Sequence, residues 1–328
     1  MAVLITGGTG FIGAYLARRL LKGGQRVVTL DPRPSNVINE VLTPAELAEV
    51  RIVAGDVTSL RDVAHAIRAH DVDRVIHLAS LLHPAADEDP PLAVAVNVQG
   101  QLTILEAARL FDLKKIVWAS SVVVFGPRSA HAERSLPNLP NDAPHHPVSV
   151  YGATKSFDEF LTAHYIKTWN VDALGVRLTL VYGPGRVRGA SAFVNELVLK
   201  PALGQPAQVP NGDDVVDWAY VEDVADLLAT CVAVPKMESA VFNTRFDIRS
   251  IRDAGAYVQT LLPDAEITYL PGEFGIAWEL DDSALQAEIG FQPTYSMERG
   301  IRALIEQTRR DAGLAGLPPL MLNPTNEA

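Results

Sequence analysis

Short β-branched apolar runs alternate with longer amphipathic stretches along the first half of the chain. Ala2–Thr6 reads as a strand and Phe11–Lys22 as a helix, followed by strands at 25–30 and 50–54. Leu60–Ala69 reads as a helix, 74–78 as a strand, 92–111 as one long helix and 115–119 as a strand. The strands are apolar throughout, without the alternation of a half-exposed sheet, as required when helices cover both faces of a parallel sheet. The pattern predicts an α/β fold of the Rossmann type, a doubly wound parallel sheet. A further helix is expected over 151–168. Beyond Arg177 glycine and proline become more frequent, which predicts a smaller, interleaved C-terminal substrate domain. The expected division is 1–176 and 177–328, with returns to the sheet near 215–245. The proline-rich stretch 129–147 reads as a surface loop, and the tail 316–328 as poorly ordered.

Composition narrows the function classes. The chain has 328 residues, 48% apolar and 20% charged, enough for a sizeable core. A formal charge of −11 argues against nucleic acid as a partner, since its recognition needs a basic surface. The single cysteine, Cys231, lies in an apolar run and reads as a buried structural residue, consistent with a reducing cytoplasm. The first residues lack the basic flank of an export signal, and no apolar run approaches the ~18 residues of a membrane helix. A cytoplasmic protein with no membrane partner is expected. His145 and His146 have no further ligands at zinc-like spacing, so they read as solvated loop residues and no metal is expected.

Leu4-Ile5-Thr6 runs directly into Gly7-Gly8-Thr9-Gly10-Phe11-Ile12-Gly13. This satisfies the dinucleotide fingerprint through Gly8, Gly10 and Gly13, and also places a glycine at every third position through Gly7, Gly10 and Gly13. Small residues let the backbone approach a pyrophosphate, and the helix that follows points free N–H groups and its positive dipole end at the charge. An acid stands where the motif requires one: Asp31, 18 residues after Gly13, at the end of the second strand. Its carboxylate can accept from the adenosine ribose hydroxyls and would repel the extra phosphate of NADP, so NAD is the expected coenzyme. Arg33 is the opposing signal, because arginine pairs with a 2′-phosphate. Asp56, before Val57 at the end of the third strand, has two readings, a bond to the adenine amino group or an N-cap for the segment from Thr58.

Tyr151 and Lys155 are four residues apart, which on a helix puts them on one face. A free tyrosine titrates near pH 10 and is a poor base at neutrality. An ammonium one turn away, with a cationic nicotinamide, favours the phenolate, which then takes a hydroxyl proton as hydride leaves carbon. Trp118-Ala119-Ser120-Ser121 ends a strand, and the carboxyl ends of strands are where open α/β sheets bind ligands. Ser121 is the hydroxyl chosen to hold the substrate oxygen; Ser120 is assigned to the backbone.

Together, Gly7-x-x-Gly10-x-x-Gly13, His77-Leu78-Ala79, Asn97, Ser121 before Val124-Phe125-Gly126, Tyr151-x-x-x-Lys155 and Val181-Tyr182-Gly183-Pro184-Gly185 resemble the extended short-chain dehydrogenases/reductases. That family is also called the NAD-dependent epimerases/dehydratases. Ile289-Gly290-Phe291-Gln292-Pro293 before Met297-Glu298-Arg299-Gly300-Ile301 resembles its closing helix signature, so the likeness covers roughly residues 1–310. The resemblance implies that Ser121 orients substrate, Tyr151 is the acid/base, and Lys155 binds the nicotinamide ribose and tunes the tyrosine. It implies a coenzyme lining of Leu78, Ala79, Ser80 and on to Leu82, with Asn97 and Thr179. It also implies a homodimer built on helices 92–111 and 151–168.

Departures from the family pattern point to the substrate. Dehydratases carry Asp-Glu directly after the serine position, and decarboxylases a Glu; here both places are valine, Val122 and Val123, which exchange no protons. The amide usual near 178–181 in nucleotide-sugar enzymes is missing, and their diphosphate-clamping arginine is replaced by Val216. Ser80-Leu81-Leu82 and Phe125-Gly126-Pro127 resemble branches that oxidise small hydroxy or amino acids. Arg186 and Arg188, next to Ser191, have the charge to hold a carboxylate, against a reading as solvated loop. Leu82 is a further substrate candidate; His83 has two readings, a site residue or a plain loop histidine, and Trp218 reads as packing against the sheet, with contact to substrate as the alternative. The expected activity is hydride transfer between NAD and a secondary alcohol or ketone of a small polar molecule. Two alternatives stand: a nucleotide-sugar 4-epimerase, which has the same triad and retains its coenzyme, and a non-catalytic nucleotide sensor, which has no use for the triad.

Overall fold

The computed structural model describes residues 1–134, 137–186, 189 and 193–318. In chain order its strands are β1 (Ala2–Thr6), β2 (Arg26–Asp31), β3 (Arg51–Ala54), β4 (Arg74–His77), β5 (Lys115–Ser121), β6 (Ala173–Leu178), β7 (Leu180–Tyr182), β8 (Ala207–Pro210), β9 (Val215–Tyr220), β10 (Val241–Asn243), β11 (Asp247–Ser250) and β12 (Ile267–Leu270). Seven of them form a parallel sheet in the order β10-β6-β5-β4-β1-β2-β3. This is the doubly wound sheet expected from the sequence. The order in which successive strands are added reverses between β1 and β4, so the loops after these two strands flank a crevice at the carboxyl edge.

Burial explains the apolar strands. Val3, Leu4 and Ile5 of β1 are fully buried, with helices on both sides of the sheet. Each such side chain contributes roughly 1.5–3 kcal/mol. Helices Phe11–Lys22 and Val221–Ala233 pack on one face, and Leu60–Ala69, Gly100–Phe111 and Val150–Trp169 on the other. The chain returns from the C-terminal part to the large sheet through Val221–Ala233 and β10. A second apolar core, around Trp218, Tyr182 and Phe193, lies beneath the small sheet β11-β9-β7.

Two expectations change. The single helix over 92–111 is interrupted: Pro90–Ala93 leads into a wide π turn, Val94–Gln99, before Gly100–Phe111. The π turn carries the buried Asn97, whose amide is committed to Leu81 and Thr154. Such bulges trade helix regularity for the placement of one side chain. The stretch read as a plain surface loop contains a 3₁₀ segment, Arg128–Arg134, and is tied to the interior. His131 bonds the Phe125 carbonyl at 2.8 Å, and His145 bonds the Ser156 hydroxyl at 2.8 Å. His145 is thus a structural partner and not a solvated loop residue, whereas His146 is exposed.

Candidate active site

The glycine loop is shaped by what its residues lack. Gly7 has φ +69°, and a Cβ there would lie 2.9 Å from the Ala79 backbone nitrogen. A Cβ on Gly13 would lie 2.5 Å from the Gly7 carbonyl oxygen, where nothing can yield. Gly10 caps the helix Phe11–Lys22, and the Gly10 N–H donates to the Gly7 carbonyl. A Cβ on Gly8 would lie 2.8 Å from the Ile5 carbonyl oxygen, whereas one on Gly10 would come no nearer than 3.2 Å to the Gly7 carbonyl oxygen, so the crowded positions are Gly7, Gly8 and Gly13. Asp31 closes the cradle: its buried carboxylate accepts from the Thr9 N–H at 3.2 Å, and burial raises its pKa against those loop bonds. Arg33 is exposed on the loop beyond it.

Asp56 does not cap the helix, and its exposed carboxylate leaves the reading as a bond to the adenine amino group open. It accepts from the Thr58 N–H and hydroxyl at 2.8 and 2.9 Å, making a local turn, while Ser59 caps the Leu60–Ala69 helix. Val57 is buried and packs against Gly100, placing it in the sheet-covering layer. On the other side of the crevice, Leu78, Ala79 and Ser80 leave β4 over the glycine loop. Asn97 accepts from the Ser80 hydroxyl and the Leu81 N–H, and donates to the Leu81 carbonyl and the Thr154 hydroxyl. All four of its hydrogen-bonding places are filled, so it positions the loop against the catalytic helix and has none left for a ligand.

Tyr151 and Lys155 lie on the helix Val150–Trp169, which Ser149 caps by accepting from the Gly152 N–H at 3.0 Å. That cap starts the helix where Tyr151 projects toward the end of β5. The Ser121 hydroxyl faces the Tyr151 phenol and favours its ionised form. Ser121 also terminates β5 by accepting from the Val123 N–H, and Ser120 turns away to donate to Glu159 at 2.6 Å. The Lys155 Nζ is 5.9 Å from the centre of the Tyr151 ring. Burial raises the phenol to about 12, opposed by the Ser121 hydroxyl and the Arg186 guanidinium and reinforced by Asp158. Sequence reasoning gave Lys155 the charge effect and missed Arg186. Burial also pulls Lys155 down, so it assists the phenol only while it keeps its proton.

Polar groups continue inward from this pair. His77 is buried beside Lys155 and pushed down to about 3 by burial and by that ammonium, so it is neutral, with its Nδ1 2.6 Å from the Thr6 hydroxyl. Glu159, held down near 2 by its hydrogen bonds and by Arg177, takes bidentate bonds from Arg177 at 2.9 and 2.7 Å. These groups were not read from the sequence as site residues. The spacing of Tyr151, Lys155, Asp158 or Glu159, and Thr162 marks one continuous polar helix face and was the available signal.

A family model described as the NAD dependent epimerase/dehydratase family matches residues 3–243. The chain belongs to that family. A D-erythronate dehydrogenase from Cupriavidus necator is 29% identical, covering 96% of this chain and all of the relative. A UDP-glucose 4-epimerase from Mycolicibacterium smegmatis is 27% identical over 93% of this chain and 98% of its own. Among solved structures, a UDP-glucose 4-epimerase from Thermus thermophilus in complex with NAD superposes with TM-score 0.81 at 25% identity, covering 94% of this chain and 99% of that one. A GalE-like L-threonine dehydrogenase from Cupriavidus necator shares the fold with TM-score 0.83 at 22% identity, covering 94% of this chain and 99% of the other.

As in the rest of this epimerase/dehydratase family, the coenzyme is NAD. The cradle fits it: with no Cβ at Gly7 or Gly13 the loop can fold this tightly against its own main chain and Ala79, and Asp31 has a carboxylate that could accept from ribose hydroxyls. Among the described residues no group of acids, histidines or cysteines is arranged to hold a metal ion.

The substrate side revises several expectations. Trp218 is fully buried, donates from Nε1 to the Arg249 carbonyl at 3.1 Å, and packs edge-on against Tyr182 at 5.4 Å. It is a core residue beneath the small sheet and does not reach substrate. His83 is exposed and bonds Asp87 at 2.8 Å. Thr179 turns its hydroxyl toward the buried Asp217. Arg188 and Ser191 lie outside the described residues. Leu82 and Arg186 do meet at the site: both crowd Gly189, and the Arg186 guanidinium lies 5.4 Å over the Phe11 ring.

Proposed function

We propose that this chain is an NAD-dependent dehydrogenase that oxidises a secondary alcohol of a small anionic molecule, a hydroxy acid or amino acid, or reduces the corresponding ketone. The Arg186 guanidinium carries this reading. It is largely buried, bears electrostatically on Tyr151, has an unpartnered Nε, and forms no ion pair with any described residue. A buried guanidinium without an anion is costly, and a carboxylate satisfies it in a bidentate fork. Such a ligand would hold its hydroxyl between Ser121 and Tyr151. Ser121 orients that oxygen, Tyr151 takes its proton, and Lys155 holds the phenol and ribose in register. Bound NAD supplies the hydride acceptor. The name of the D-erythronate dehydrogenase relative supports an acid substrate, and Val122 and Val123 leave no second acid for dehydration.

The relationship to the UDP-glucose 4-epimerase favours one alternative, a sugar-nucleotide epimerase. The decisive experiment is a screen for NADH formation with hydroxy acids, amino acids, aldoses and UDP- or GDP-sugars. Net NADH from an acid supports the proposal. Tightly retained NAD with no net NADH, and interconversion of sugar nucleotides, overturns it in favour of the epimerase.

We further propose a cytoplasmic homodimer. Leu92, Val94 and Leu110 leave apolar surface exposed, as do Phe157 and Phe160, whose rings stack at 6.4 Å, and Phe160 is 67% exposed. An apolar surface of this kind marks an interface. Light scattering should give twice the chain mass, and Phe160→Glu should halve it.

A further inference from the structure

Two side chains on the Val150–Trp169 helix, an acid and a base, are buried side by side and are not fully committed to each other. Asp158 is 0% exposed, and neither carboxylate oxygen has a hydrogen-bond partner among the described residues. Its nearest cation is Lys155, three residues back, with Nζ 3.9 Å from Oδ2. A buried carboxylate without hydrogen bonds is expensive to keep, whether charged or neutral. Simple packing would be served better by an apolar residue there. Its persistence at this point on the catalytic helix calls for a role.

Every element packed around the pair supplies a group, and none of them takes Asp158's place. From β4 comes His77, which is neutral. From β5 comes Trp118, whose ring centre is 5.7 Å from Nζ and whose Nε1 has no partner. From the helix covering the same face comes Gln101, with its Oε1 likewise unmatched. Glu159 on the same helix is already paired with Arg177 from β6 and bonded by Ser120 and His145. On the outer side stand the Tyr151 phenol and, beyond it, the Arg186 cation. Asp158, whose carboxyl burial pushes up to about 7 against the pull of Lys155, is thus the one uncommitted acid beside a lysine that burial drives toward the neutral amine.

We propose that Asp158 is a positioning residue that acts on Tyr151 through Lys155: its carboxylate keeps the buried lysine as an ammonium, and the ammonium in turn favours the phenolate. Direct and indirect effects on the tyrosine have opposite signs. Acting alone across the gap, a negative Asp158 opposes phenolate formation. Acting through Lys155, it favours it. Removal of the charge therefore tells which effect dominates.

The test is the pH dependence of kcat/KM for alcohol oxidation in the full-length enzyme, wild type against Asp158→Asn. The proposal expects the limb that reports phenol deprotonation to move up by about one pH unit, with turnover near neutrality down about tenfold. NAD affinity should stay within about threefold, since Asp158 touches neither the glycine loop nor Asp31. Asp158→Glu should bring the limb most of the way back. A limb that moves down means the direct effect governs, and a limb that stays fixed while stability falls means Asp158 only fills space; either result overturns the proposal. Asp158→Ser removes the same charge in a smaller volume and serves if the amide does not fold. A readout independent of turnover and of these variants is the 15N resonance of the Lys155 Nζ in wild-type protein, assigned by its loss in Lys155→Met. An ammonium signal at about pH 7 is expected, and a neutral amine there overturns the proposal.

Discussion

The two walls of the crevice are built by opposite means. The coenzyme wall is made of backbone and missing side chains: Gly7 and Gly13 are required because a Cβ would strike main-chain atoms. Its one charged side chain, Asp31, is held by the loop beside it. The substrate wall is made of long side chains carried on loops, above all Arg186 over Phe11, with Leu82 beside it. The first wall has little freedom to vary, whereas the second can exchange one chemical group for another without disturbing the sheet. That contrast explains how dehydrogenases and epimerases share one cradle, and why the substrate must be read from the loops.

Variants that separate the walls can break or sharpen this comparison. The largest effect belongs to the residue between them. Tyr151→Phe should lower kcat by about 10³-fold while NAD affinity, read by fluorescence titration, stays within about threefold. Full activity would remove the phenol from the chemistry. Next comes the backbone wall. Gly13→Val should weaken NAD by about 100-fold, since the added carbons meet the Gly7 carbonyl and Gly8, and calorimetry measures this directly. On the substrate wall, Arg186→Met should raise KM for a carboxylate substrate by about 30-fold and leave the KM of its uncharged amide nearly unchanged. Equal losses for both would make Arg186 a coenzyme residue and erase the distinction between the walls. The smallest effect is expected at Asp31→Ala. NAD should bind about tenfold more weakly and NADP less so, and an unaltered preference would show that Asp31 serves only the loop.

What could be read in the sequence follows the same division. The run from Ala2 to Lys22 was legible because strand, turn and helix are specified by adjacent residues, and the apolar strands announced a sheet covered on both faces. Tyr151 and Lys155 were legible because a helix turns their spacing into adjacency. The break in the helix at 94–99 was not, because its cause is Asn97 reaching Leu81 and Thr154, contacts made only when the chain has folded. Trp218 was legible as a packing residue, and its position on β9 places it in the second core. Asp158, by contrast, escaped notice. Carboxylates are common on helices, and only burial against β5 distinguishes this one from a solvated residue.

The most direct test of the account is the crystal structure of the enzyme with NAD bound. The pyrophosphate should lie on the backbone of Gly7–Gly13, the adenosine ribose against Asp31, and the nicotinamide riboside within reach of Tyr151 and Lys155, with Arg186 facing the open space beyond. Coenzyme bound elsewhere, or a nicotinamide out of reach of the Tyr151 phenol, would contradict it.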